Sequence, residues 1–183
     1  MDSSEFRYEK DLQNSLANLE LDLAGDYITT FFRREVNMGL CIPDLIYIRF
    51  SEVPDHSLWP KNITYRHAHI IWLLRKYGRQ RVDVFAAHGF SLSSRYFQKA
   101  ILDLIEYDDK SFELSDALLE ISGEVITVEA KLKKWKQALQ QAISYKDWSD
   151  FVFVAMDSKH IPTKETILDE FRNDGIGLCS ISP

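Results

Sequence analysis

A chain of 183 residues, 45 % hydrophobic and 13 % aromatic, carries enough apolar mass for one packed domain, or for a core with one sizeable insertion. No apolar run approaches the roughly 20 residues that span a bilayer. The opening MDSSEFRYEKDLQ lacks the basic-then-apolar order of a secretory signal, so no membrane partner and a cytoplasmic location are expected. The net charge of −6 argues against a protein that coats nucleic acid, but it is unevenly spread. Between positions 61 and 102 the bases Lys61, Arg66, Arg75, Lys76, Arg79, Arg81, Arg95 and Lys99 meet one acid, Asp83, which leaves −13 for the remainder. That asymmetry marks the middle third as the place to look for a phosphate-facing surface.

In chain order, residues 4–23 read as a helix, with Phe6, Leu12, Leu16 and Leu19 at near-helical spacing, Ser4 as a cap and Gly25 as a stop. YITTFFRREV and LCIPDLIYIRF read as a strand hairpin, with Pro43 marking a bulge or an edge inside the second strand. Cys41 and Cys179 lie in apolar, strand-like segments and read as buried thiols, not as a disulfide or a metal pair.

From 51 the texture changes. A proline-bearing linker leads to a helix over 64–77 stopped by Gly78. RVDVFAAH is expected to be a short second helix, and SLSSRYFQKAILDLIEY a third, with DDKSFELSD as a small wing. Helix, short helix, turn, longer helix is the order of a helix-turn-helix unit, and the basic window falls on it. Ser93, Ser94, Arg95 and Lys99 would begin the recognition helix, with Arg75, Lys76, Arg79 and Arg81 toward backbone phosphates. The histidines His56, His67, His69 and His88 show no metal-ligating spacing. The last third alternates: strand 125–132, helix 134–147, the apolar strand DFVFVAM, a helix over 164–173 and the strand IGLCSI. Alternation of this kind implies right-handed crossovers and parallel strands.

Chemistry concentrates at one strand end. In VITVEAKL the side chains alternate, so Thr127, Glu129 and Lys131 share the face opposite Ile126, Val128, Ala130 and Leu132. Lys134, Gln137, Gln141 and Tyr145 then form one stripe on the following helix, and Lys133 and Lys134 belong to a basic run, KLKKWK, that would be useful beside a phosphate. Upstream, Asp44 sits among apolar residues in IPDL. Two converging carboxylates beside an ammonium make a site for a hard cation plus a polarising positive charge, which suits phosphodiester hydrolysis.

IPDL with Asp44, followed by VEAK with Glu129 and Lys131, resembles the PD-(D/E)XK nuclease superfamily of the restriction-endonuclease-like fold. QAISY, Gln141 to Tyr145, is similar to the Gln-x-x-x-Tyr element of some of its branches. The resemblance covers about 1–50 and 119–183, with 51–118 as an inserted winged-helix-like unit. It departs from the family in the 85 positions that separate Asp44 from Glu129. It implies an α/β fold, a mixed sheet flanked by helices, and Mg²⁺- or Mn²⁺-dependent cleavage of DNA. By the same likeness Asp44 and Glu129 hold the metal, Glu9 on the leading helix assists (Glu5 and Glu35 being almost as eligible), and Lys131, Gln141 and Tyr145 act on the substrate. Duplex DNA is the expected partner, with a homodimer or protein partner hinted at by the acidic remainder.

Blander readings of the same residues exist. Glu129 and Lys131 can form a solvated strand-end ion pair, Asp44 can stabilise a turn, and Gln141 with Tyr145 can cover a helix–sheet seam. The rival functions are a non-catalytic DNA-binding or assembly subunit that retains the fold, and a nuclease of RNA or single strands.

Overall fold

The computed structural model describes residues 5–18, 29–35, 41–50, 65–81, 83, 105–108, 111–114 and 123–183. The elements are α1 (Glu9–Asn18), β1 (Thr29–Arg34), β2 (Leu45–Phe50), α2 (Tyr65–Tyr77), β3 (Gln80–Arg81), β4 (Ile105–Asp108), β5 (Ser111–Leu114), β6 (Gly123–Lys131), α3 (Trp135–Ile143), β7 (Phe151–Asp157), α4 (Glu165–Asn173) and β8 (Gly177–Ile181). The fold is α/β, with a five-stranded mixed sheet in the order β1-β2-β6-β7-β8. β1, β2 and β6 run antiparallel to one another, whereas β6, β7 and β8 are parallel and joined by α3 and α4.

Each face of this sheet is covered. On one side α1 buries Leu12 and Leu16, with Phe6 just before it, against Leu45, Tyr47, Ile126, Val128, Ala130, Ala155 and Ile181. On the other, Ile70, Trp72, Leu73 and Leu74 of α2 join Ala138, Leu139 and Ala142 of α3 and Phe171 of α4. They pack over Ile46, Ile48, Val125, Val152, Val154 and Met156. Burial on both faces explains why β7 is apolar almost throughout. At the ends of α2 and α4, Gly78 and Gly175 adopt φ of +68° and +65°, the left-handed conformation that lets a helix stop where the sequence expects it to.

A second, three-stranded antiparallel sheet has the order β3-β5-β4. Tyr107 pairs with Phe112, which is buried, and Gln80 pairs with the same residue from the other side. Here the expectations need correction. Arg81 belongs to a strand, not to the start of a short helix, and Ile105–Asp108 form a strand where the third helix was expected to continue to Tyr107. The β-branched and aromatic residues of IEYD gain ladder bonds with Ser111–Leu114 that a helix could not offer them. The helix expected from 91 lies outside the described residues up to 104, as do Ser93, Ser94, Arg95 and Lys99.

Smaller differences follow the same logic. The first helix starts at Glu9, and Ser4 and residues 19–25 lie outside the described residues. β2 begins after Pro43 and Asp44, so the proline precedes the ladder and withholds no donor from it. Cys41 is buried and Cys179 half-buried, and both are free thiols. Although α2 lies within 51–118, its apolar side is part of the main core. Asp150 fastens it there, accepting from Trp72 Nε1 at 2.7 Å and from Val125 N of β6 at 2.8 Å. Among the described residues no helix is long and apolar enough to cross a membrane.

Candidate active site

Strand alternation carries Glu129 onto the face covered by α3, where it is 1 % exposed. A lone carboxylate in such a place costs several kcal/mol, so its partners decide whether it can stay ionised. Both oxygens are engaged: Lys131 Nζ lies 2.8 Å from Oε1, and the Tyr145 hydroxyl donates to Oε2 at 2.5 Å. Tyr145 stands just beyond the end of α3 and is itself buried. Burial, and then the bond and charge of Glu129, push its phenol far above the ordinary range, so it remains a donor.

Asp44 arrives from the other side of the β2–β6 pair. Its Oδ2 accepts from Ala130 N at 2.8 Å and its Oδ1 from Gln13 Nε2, also at 2.8 Å. Desolvation and the nearby charge of Glu129 raise its carboxyl pKa to about 6 from 3.8, against the opposing effects of the Ala130 bond and Lys131. Lys131, 12 % exposed, is pulled down by burial. The Glu129 bond and charge, with Asp44 and Glu9, outweigh that effect and leave its pKa raised. It is a firm cation at neutral pH. Glu9 reaches only the rim, with its Oε2 3.5 Å from Lys131 Nζ.

Thus Asp44, Glu129, Lys131 and Tyr145 form one cluster, with Glu9 at its edge. Gln141 shares α3 and has a buried Oε1 with no hydrogen-bond partner among the described residues, so its amide is an unused acceptor. Gln13 was not singled out from the sequence. It stands four residues, about one helical turn, after Glu9, and that spacing is the signal that could have found it.

Four of the basic residues proposed for DNA are engaged within the fold. Lys76 pairs with Asp150 at 3.4 Å and lies over the Trp72 ring, Arg79 pairs with Glu113, Arg81 with Asp83 at 2.9 Å, and Lys133 with Glu5 at 2.8 Å. Arg75 is half-buried and Lys134 is exposed immediately before α3. The uneven charge of the middle third is therefore partly balanced by acids drawn from Glu113 and Asp150, outside that window.

The donor chemistry fits a hard divalent cation. Two neighbouring carboxylates, of which Asp44 resists ionisation through desolvation first and the charge of Glu129 second, would be favoured in their charged forms by a divalent cation, and Mg²⁺ or Mn²⁺ prefers such oxygens. Among the described residues no group of three His, Cys, Asp or Glu side chains converges as a metal site. The set is two carboxylates, a number Mg²⁺ accepts when water and phosphate oxygens complete its shell. Comparison with protein-family models, curated proteins and solved structures gives no match.

Proposed function

We propose that the chain is a metal-dependent endonuclease of DNA, built on a restriction-endonuclease-like core with an inserted winged-helix-like unit. The observation that carries this reading is the retention of Glu129 in a core face beside Lys131 and Asp44, where an apolar residue would be the more stabilising choice. Two features of the fold support it. The order α1-β1-β2 and then β6-α3-β7-α4-β8 on one mixed sheet agrees with the resemblance, and so does a helix followed by a strand that later pairs beside a hairpin, as α2, β3, β4 and β5 do.

In this reading Asp44 and Glu129 hold Mg²⁺ or Mn²⁺, which when bound supplies a polarised phosphoryl oxygen and an acidified water. The chain's own groups do the rest. Gln13 and the Ala130 amide fix Asp44, and Tyr145 fixes Glu129. Lys131 offers its ammonium to charge developing on the phosphate. Gln141 Oε1 is free to accept from substrate, and Glu9 orients Lys131 from the rim. The inserted unit delivers duplex DNA.

Supercoiled plasmid incubated with Mg²⁺ or Mn²⁺ tests this directly. The wild type is expected to nick it, EDTA to stop the reaction, and Glu129→Gln and Lys131→Met, with folding verified by thermal melts, to be inactive. Cleavage that survives both substitutions overturns the reading. One observation favours the non-catalytic alternative: both Glu129 oxygens are already satisfied within the fold. Mn²⁺ titration by calorimetry separates the two, since a purely structural network gives no heat that Asp44→Asn removes.

A further inference from the structure

A second cluster of charge lies beside this site, and the nuclease chemistry does not use it. Glu5 Oε1 lies 2.8 Å from Lys133 Nζ, in the turn after β6, and 2.7 Å from His160 Nε2, beyond the end of β7. Three chain segments thus bring two donors onto one carboxylate oxygen, which keeps the donors within about 5.5 Å of each other by geometry alone. The segment bearing Glu5 is fixed independently, because Phe6 N donates at 2.9 Å to Asp157, a fully buried aspartate at the end of β7. Lys133 is two positions beyond Lys131, and Glu5 lies in the short segment that leads into α1 and Glu9, so the cluster borders the carboxylate site.

We propose that Lys133 and His160 form a subsite for a phosphodiester of the nucleic-acid backbone, and that Glu5 occupies it as an internal anion which the substrate displaces. This rests on the nuclease reading and adds to it a second phosphate contact and a residue that holds binding back. The charges fit. The pair already balances a single negative charge on one oxygen, and a backbone phosphodiester presents a single negative charge on its free oxygens. Displacement is easy because the side chains of Glu5, Lys133 and His160 are 40 %, 59 % and 29 % exposed, and ion pairs so open to water are weak. The Glu129–Lys131 pair, by contrast, is shut off from water, and parting it costs more. Lys133 first, then His160, holds the Glu5 carboxyl down to about 2, so it is a full anion at any working pH.

The sign of the effect is what distinguishes this arrangement from an ordinary surface ion pair. Removing Glu5 should improve binding even though it removes two salt bridges. The test is fluorescence anisotropy of a labelled DNA duplex, and of its single strand, in Ca²⁺ over a salt series. Glu5→Gln is expected to bind about threefold tighter or more, with the salt slope steeper by roughly 0.7–0.9, as one more phosphate contact requires. Lys133→Ala with His160→Ala should weaken binding, and adding Glu5→Gln to that pair should give no gain. Glu124→Gln, at the opposite end of β6, controls for mere loss of an acid. If Glu5→Gln weakens binding or leaves it unchanged, if Glu124→Gln tightens it equally, or if no form binds either probe, the inference is overturned. Unchanged Glu5→Gln binding beside intact Mg²⁺-dependent nicking leaves the nuclease reading standing. Tightening without nicking in any metal removes that reading and keeps the subsite.

Discussion

Asp44 and Ala130 are 86 positions apart in the chain, and Oδ2 of the first accepts the backbone N–H of the second at 2.8 Å. The bond fixes the aspartate to the backbone of the one residue that lies between Glu129 and Lys131. A carboxylate is thereby registered to its two chemical partners by backbone, which no rotamer change of theirs can undo.

The pKa of Asp44 makes stability depend on pH with an unusual sign. Its carboxyl is raised from 3.8 to about 6, so between those values the folded chain holds a proton that the unfolded chain has released. Stability should therefore fall as pH rises through this window and stay low above it, by up to about 3 kcal/mol at roughly 1.4 kcal/mol per pK unit. Asp44→Asn should flatten the profile. It leaves one of two donors, Ala130 N or Gln13 Nε2, without its acceptor, at a cost of about 1 kcal/mol, so a net gain of about 1–2 kcal/mol is expected at neutral pH. Urea unfolding at a series of pH values measures both. Mn²⁺ should stabilise the wild type more at neutral pH than near pH ~5, because binding must expel the proton.

Lys131→Met should destabilise by about 3 kcal/mol, since it strands a carboxylate that is almost wholly buried. Glu129→Gln in the same chain should recover much of the loss. A double-mutant cycle by urea unfolding is expected to show a coupling above about 1 kcal/mol, and additive losses would mean the two charges do not depend on each other.

Tyr145→Phe keeps the ring in the core and deletes one hydrogen bond to a charged, buried partner. The expected loss is about 1.5–3 kcal/mol, and it should shrink to about 1 kcal/mol in a Glu129→Gln background, where the acceptor is a neutral amide oxygen. Thermal unfolding of the four proteins settles this.

Asp150→Ala removes the acceptor shared by Trp72 Nε1 and Val125 N, with an expected cost of about 2–3 kcal/mol. Lys76→Met, which removes the 3.4 Å partly exposed pair to the same carboxylate and the ammonium's contact with the Trp72 ring, should cost less, about 1–2 kcal/mol. Limited proteolysis should find α2 cut sooner in the first protein than in the second.

Much of this was legible in the sequence because it is local. Alternation in VITVEAKL assigns Glu129 and Lys131 to one face, and the β6-α3-β7-α4-β8 succession follows from hydrophobic periodicity and the glycine stops. What stayed hidden was decided at a distance. IEYD reads as the tail of a helix until Ser111–Leu114 is laid beside it, and no charge count shows that Glu113 and Asp150 reach back to Arg79 and Lys76. The partners of Asp44 were equally invisible: one is a main-chain amide and the other an unremarked glutamine on α1. His160 escaped because its partner, Glu5, is 155 positions away.

The nine residues of β6 are held at both ends by different parts of the molecule. Near its start Val125 is tied through Asp150 to α2, and at its finish stand Glu129 and Lys131. A strand hydrogen-bonded on both sides cannot slide without shearing two ladders, so the anchor of α2 and the acid–ammonium pair keep a fixed separation along it.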